Sequence, residues 1–280
     1  MQYHVGKLED LPFVVPHGYT EHARGYERAS LMDRGAGSVH MGAGICRLQP
    51  GGGIARCLHA YEKGIYLLEG ELELMRGAAA SRLSKDDYAL VPCGVPHAIR
   101  NPGTDAARWF EMAAPQPKPP GGWQDTYFGS GGEWPAEIST PDFDSPDTKL
   151  VGRFKPLGPL AGGGTERKDL SVYRFMQREF GAHNFFMMRG ELAVGGMRNS
   201  HDHPIEEFYF ALSGESFMDI EGRRFHLRAG DFAWTGVGAC HAFAQTGDEP
   251  FRWIETQAPQ FPDRNGTRNY AEWDKYQKGF

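Results

Sequence analysis

Residues 195–214 read GGMRNSHDHPIEEFYFALSG, and residues 230–245 read GDFAWTGVGACHAFAQ. The first stretch sets Gly195, His201, His203, Glu207 and Gly214 in the spacing G-x5-H-x-H-x3-E-x6-G, and the second adds Gly230, Gly236, Gly238 and His241. Three neutral imidazoles with one carboxylate form a donor set that suits Fe, Mn, Ni, Zn or Cu. Such a set leaves coordination positions open, which points toward chemistry as well as structure. Side chains two apart lie on one side of a strand, so His201 and His203 are expected to face the same way. His241 is expected to meet them from a strand across a barrel, and Glu207 to open the next strand beyond a tight turn. The competing reading makes His201 and His203 surface histidines in a polar loop, but the glycines and His241 in register argue against it.

The chain also repeats itself. Shifted by 144 positions, residues 51–116 align with residues 195–260 without a gap. Gly51 meets Gly195, His59 meets His203, Gly70 meets Gly214, Asp87 meets Asp231 and His97 meets His241. Trp109 meets Trp253, Glu111 meets Glu255 and Gln116 meets Gln260. Two copies are too few for a solenoid, so each is expected to carry its own core. A length of 280 residues fits two domains.

Composition narrows the function classes. The chain is 40% hydrophobic and 24% charged, ordinary for a globular protein. A net charge of −6 offers no basic face for nucleic acid or an anionic membrane. No apolar run approaches the length of a membrane helix, and the acidic residues in MQYHVGKLEDLPFVV break the apolar run a signal peptide needs. A cytoplasmic protein is the expectation. Cys46, Cys57, Cys93 and Cys240 show no C-x-x-C spacing, so reduced thiols are expected.

Short apolar runs broken by Gly, Pro and Asp mark the strands of an antiparallel sandwich or barrel. In the first copy these are residues 45–48, 64–68, 72–75, 88–91 and 108–112. In the second they are residues 171–176, 185–192, 207–212, 216–220, 225–227, 232–235, 242–245 and 251–255. The expected division is an N-terminal barrel with its arm over residues 1–116, a linker over 117–168, and a C-terminal barrel with its tail over 169–280. The linker is rich in Pro and Gly, yet Trp123, Tyr127, Phe128 and Trp134 suggest that it is pinned onto a domain. Tyr270, Trp273 and Tyr276, three apart, suggest a short docking helix in the tail.

The two motifs, G-x5-H-x-H-x3-E-x6-G and G-x5-(P)-x-G-x2-H-x3-(N), resemble those of the cupin superfamily, and their tandem arrangement resembles a bicupin over about two-thirds of the chain. The second copy departs at Gly236, where the family has Pro, and at Gln245, where it has Asn. Neither position is a metal ligand. The resemblance implies an all-β fold of two tandem jelly-roll (double-stranded β-helix) barrels, with one divalent transition metal per chain bound by His201, His203, Glu207 and His241 inside the second. Fe or Mn is the first expectation for that ion, with Ni, Zn or Cu as alternatives. A homodimer is expected as well, because outer sheets of bicupins often pack on a second chain.

By the same offset, the first copy offers Cys57, His59, Lys63 and His97. An ammonium where the carboxylate should sit disfavours a dication there. The open readings are a Cys-His-His zinc site with Lys63 turned away, or a vestigial pocket in which Lys63 replaces the charge of the ion. In the second copy, strand alternation points Tyr209, Phe243 and Gln245 inward, with Trp234 at the mouth, as candidates to bind a small planar or carboxylate substrate. Core packing is the bland alternative for each. Arg174, Arg189 and Arg198 could each hold a substrate carboxylate. Cys240, beside His241, is expected to be buried in the wall, and Asn265-Gly266-Thr267 to carry no sugar.

Three functions follow. The first is an oxygen-dependent metal enzyme, dioxygenase in type, acting on a small organic acid or carbonyl compound. The second is a non-redox hydrolase or decarboxylase, similar to the ureidoglycine aminohydrolase (glyoxylate-induced) group of bicupins, although that group's Glu-His-His-Gln ligand order differs from the order here. The third is a non-catalytic small-ligand-binding module.

Overall fold

A computed structural model describes residues 2–119, 121, 124–130, 132–156, 167–260 and 268–269. Two antiparallel sheets, each curled into a barrel, account for nearly all of the regular structure, as two tandem cupin barrels require. In the first, β3 (Gly42–His59), β4 (Glu62–Glu69), β5 (Glu71–Arg76), β6 (Ala79–Ser84), β7 (Asp87–Val91), β8 (His97–Arg100) and β9 (Ala107–Ala114) run in the order β7-β4-β9-β3-β8-β5-β6. The second repeats that order with β13 (Phe186–Asp202), β14 (Glu206–Ser213), β15 (Glu215–Ile220), β16 (Arg223–Arg228), β17 (Asp231–Thr235), β18 (His241–Thr246) and β19 (Phe251–Ala258). The 144-residue offset is thus a repeat of topology as well as of letters.

The apolar runs became strands, but β13 does not stop near residue 192. It passes through Gly195, in the left-handed region at φ +77°, and carries on to Asp202, so the metal-motif histidines lie on the far half of a bent strand. Gly214, at φ +71°, closes the next turn, and a Cβ there would run into the Pro250 carbonyl. Only glycine serves at that corner.

The flanking segments tie the two halves together. β1 (Tyr3–Lys7) leaves the first barrel and pairs with β17, so the arm belongs in part to the second sheet. β2 (Ala23–Met32) pairs with β3, and β12 (Arg167–Met176) pairs with β13. Two strands between the barrels add to the first sheet: β10 (Thr126–Phe128) pairs with β3 and β11 (Val151–Arg153) with β7. The Phe128 ring stacks on His22, and the Arg100 guanidinium lies 4.2 Å from the centre of the Trp134 ring. Trp123, the Asn265–Thr267 triplet and the aromatic stripe of the tail lie outside the described residues.

Three apolar clusters organise the interior. One fills the first barrel around Trp109 and Leu48, and one fills the second around Trp253 and Met218. The third joins the barrels, packing Tyr66, Leu90 and Phe110 of the first against Phe208, Phe232 and Trp234 of the second. Two carboxylates clamp this joint reciprocally. Glu62 accepts backbone N–H groups of His183 and Asn184, and Glu206 accepts those of Val39 and His40. Each pair is related to the other by the same 144-residue offset.

Candidate metal centre

The second barrel brings its four motif side chains together. His201, His203 and His241 each offer a ligand atom, and these atoms lie within 4.8 Å of one another. The Glu207 carboxylate completes the group, with its oxygens 3.2 Å from His203 Nε2 and 2.9 Å from His241 Nε2. His241 does not come from across the barrel: β18 is the hydrogen-bonded neighbour of β13, and His201 stands opposite His241 in register. Curling of the sheet supplies Glu207 instead, from β14, which does not pair with β13.

The residues fit a divalent transition metal. Nδ1 of His201 lies 2.8 Å from the Asn199 carbonyl, and Nδ1 of His241 lies 2.9 Å from that of Ala239. Each carbonyl needs a donor, so Nδ1 carries the proton and Nε2 keeps its lone pair for the centre. Burial, helped by neighbouring positive groups, holds His201 below the usual imidazole range, and burial also lowers His203. Both therefore offer neutral imidazoles, the form a metal donor takes. His241 behaves in the opposite sense: burial lowers it, but the Glu207 charge and hydrogen bond, with the Ala239 carbonyl and Glu255, together raise it. Glu207 is itself held low by His203 and His241 against the upward push of burial. A buried carboxylate whose charge raises a neighbouring imidazole is a site that calls for a cation.

Around this group lies a cavity of ≈ 300 Å³. Tyr209 and Phe243 line it. The Tyr209 hydroxyl donates to Glu207 Oε2 at 2.9 Å and lies 3.0 Å from His241 Nε2. Burial, then the Glu207 charge, raises its pKa well above the phenolic range, so it stays protonated. Trp234 does not line the cavity: it sits on the other face of β17, in the core between the barrels. Gln245 is also structural, since its amide accepts from Gly195 N and donates to the carbonyls of Thr246, Gly247 and Glu249. It locks the same turn that Asn101 locks in the first barrel through the carbonyls of Leu48 and Asp105.

Arg174 and Arg198 stand on the cavity wall, and Arg198 also binds Asn269 Oδ1 at 2.8 Å. Arg189 is elsewhere, paired with Asp86 at 2.9 Å across the barrel joint. Cys240 is fully buried, as expected. Two wall residues went unassigned in the sequence. Gln257 Nε2 donates to Glu207 Oε1 at 2.5 Å and also to Glu255 Oε1, while its own buried carbonyl oxygen has no partner among the described residues. Glu255 takes the indole N–H of Trp253 at 3.0 Å, and burial with the nearby Glu207 charge pushes its pKa upward. The pairing of Glu111 with Glu255 in the repeat was the available signal for this carboxylate.

In the first barrel Cys57, His59 and His97 also gather within 4.8 Å. Lys63 is buried and pairs with Glu111 at 3.2 Å, and Arg28 pairs with the other oxygen of Glu111 at 3.3 Å. Burial, then the Lys63 charge, lowers both histidines.

Comparison with known proteins agrees with this geometry. The cupin domain family model matches residues 44–113 and again 188–256. The chain is a bicupin of the cupin superfamily. A stretch of 94 residues is 36% identical to the polyketide synthase CurC of Streptomyces cyaneus, covering 33% of this bicupin and 60% of that relative. The fold resembles that of oxalate decarboxylase from Bacillus subtilis. An arginine-to-alanine mutant of that enzyme has a TM-score of 0.70 at 16% identity, over 96% of this chain and 80% of that one. A tryptophan-to-tyrosine form has a TM-score of 0.68 at 16% identity, over 98% and 82%. At such identity the likeness is one of fold.

Proposed function

We propose that this bicupin is a metal-dependent enzyme whose single active site is the second barrel, with His201, His203, Glu207 and His241 as ligands. The observation that carries the reading is the meeting of that donor set with a cavity whose wall is divided by chemistry. Leu170, Phe186, Phe243 and Trp253 make one part apolar, while Arg174 and Arg198 bring positive charge. A substrate that satisfies both carries a carboxylate or enolate on an apolar or aromatic body. The volume of ≈ 300 Å³ has room for more than a two-carbon diacid. When bound, the metal supplies Lewis-acid polarisation of a carbonyl oxygen.

The side chains of this bicupin do the rest. Arg174 and Arg198 orient the anionic end. Phe243 and Trp253 exclude water from the apolar end. Tyr209 holds its proton beside Glu207 and presents a donor to developing negative charge. The Gln257 carbonyl oxygen is free to accept a substrate hydroxyl. An oxygen-dependent reaction on an enolisable carbonyl acid, dioxygenase in type, is the reading we favour, with Fe(II) or Mn(II) as the ion. The likeness to a polyketide synthase polypeptide supports a carbonyl-rich substrate.

Non-redox decarboxylation is the second reading. Structures of the same fold are named oxalate decarboxylase, and one describes Mn(II) centres, which supports Mn(II) here as well. Oxygen uptake and carbon dioxide release should be followed together across β-dicarbonyl, aryl-pyruvic and α-hydroxy acids with Mn(II) or Fe(II) supplied. Uptake coupled to substrate loss supports the first reading, and carbon dioxide without uptake supports the second. Neither product with any acid leaves a ligand-binding module. The four cysteines stand as thiols, which fits a reducing compartment and supports a cytoplasmic location.

A further inference from the structure

We propose that the first barrel holds an ion of its own, a monovalent soft metal, Cu(I), in a closed trigonal site made by Cys57, His59 and His97. The distances select the geometry. Cys57 Sγ lies 3.9 Å from His59 Nε2 and 3.8 Å from His97 Nε2. Metal–sulfur and metal–nitrogen bonds of about 2.3 and 2.05 Å separate S from N by about 3.8 Å at 120°, but by only about 3.55 Å at the tetrahedral angle. Both S···N separations are those of three-coordination, and all three donor atoms lie within 4.8 Å of one another. Thiolate with imidazole is also the donor softness that selects copper in its lower oxidation state.

Both imidazoles are aimed from behind. His59 Nδ1 lies 3.0 Å from Thr126 Oγ1, and His97 Nδ1 lies 3.2 Å from the Val95 carbonyl. Partners at Nδ1 leave Nε2 of each ring for the centre, the same device used in the second barrel. Thr126 comes from the linker: β10 lies on β3 with Thr126 opposite His59 and Phe128 opposite Cys57. The three donors are buried, and the 420 Å³ cavity of this barrel, over Arg28 and Glu111, is not lined by any of them. A buried trio that lines no cavity among the described residues has the form of a site for a structural or electron-holding ion.

Charge selects the valence. Lys63 stands where Glu207 stands in the second barrel, and Lys63 and Arg28 together face one carboxylate, Glu111. With a neutral thiol this buried group carries one net positive charge. Exchanging the thiol proton for Cu(I) leaves that total unchanged, whereas Zn(II) adds a second positive charge with no carboxylate to answer it. Lys63 thus excludes a dication without excluding a monovalent ion.

The test uses the full chain carrying Cys93→Ser, which removes the exposed thiol. Under anaerobic conditions it is titrated with Cu(I) against a chromophoric Cu(I) chelator, and X-ray absorption is recorded at one equivalent. The expected result is one sulfur and two nitrogens around copper. Adding Cys57→Ser should weaken binding by at least about 100-fold, beyond what an outer partner of a ligand is worth. Copper without sulfur scattering, no copper held against the chelator, or Zn(II) held in preference to Cu(I) would each overturn the assignment. Should Cys57→Ser fail to fold, the sulfur scattering of the Cys93→Ser chain decides alone, since the metal group of the second barrel contains no sulfur.

Discussion

At matched positions the second barrel sets Glu207 among three imidazoles, whereas the first sets Lys63 beside Cys57, His59 and His97 and pairs it with Glu111. Strand order is the same in both, and so are the turn glycines, the buried tryptophan and the carboxylate at Glu111 and Glu255. What differs is where the positive charge comes from. The first barrel builds it into the chain as Lys63 and Arg28. The second keeps two buried carboxylates, Glu207 held low by His203 and His241 and Glu255 raised by burial and the Glu207 charge, and leaves the counter-charge to a proton or an ion. One scaffold therefore yields a pocket whose buried carboxylate is answered by built-in cations and a pocket whose buried carboxylates have only imidazoles and a proton beside them.

The largest effect expected from breaking this contrast is at the second barrel. Glu207→Gln should abolish turnover and weaken divalent metal binding by at least about 100-fold in calorimetric titration. Retained affinity would remove Glu207 from the ligand set. In the first barrel Lys63→Met should cost about 3–5 kcal/mol in denaturant unfolding, because it strips one partner from a buried ion pair. The double variant Lys63→Met/Glu111→Gln should be no more stable than Lys63→Met, because it also strips Arg28 of its carboxylate, and a single variant as stable as the parent would show that the pair does nothing.

The same pair sets a pH dependence. Glu111 is buried, which raises it, yet Lys63 and Arg28 outweigh burial and hold its pKa below the usual carboxylate range. A depressed folded pKa contributes stability that is present above the unfolded value, about 4.3, and is lost as pH falls through the folded one. Glu111→Gln should accordingly be less stable than the parent at pH 7, with the gap closing at acid pH. A constant gap would contradict the ion-pair account. Manganese at 100 times its dissociation constant should add about 2.7 kcal/mol to the stability of the parent and nothing to that of His201→Ala. The smallest effects are at the joint. Glu62→Gln and Glu206→Gln should each cost about 1–2 kcal/mol, and by similar amounts, as their offset-related contacts require.

The sequence displayed the repeat, the strands and the donor set because turn glycines and ligands recur at fixed spacing. Inward-facing Tyr209 and Phe243 were legible by alternation. Trp234 was not, because β17 is buried on both faces: the pattern pairs Phe232 with Trp234 but does not say which face is the inside. Gln245 looked like a pocket residue for want of the turn it closes, although its equivalence to Asn101 was there to use. The neighbouring placement of His201 and His241 depends on sheet order, which local pattern does not contain. Glu62 and Glu206 matched across the repeat and could have been found, but adjacent residues on a strand face opposite ways, and Glu207 drew attention from its neighbour.

The most direct test is metal content, measured by mass spectrometry on the parent and on His201→Ala/His203→Ala, both purified without added ions and stripped of copper. The parent should carry one divalent transition metal ion per chain, and the double variant none. Equal content in the two proteins would place the ion elsewhere and contradict the assignment of the second barrel as the reacting centre.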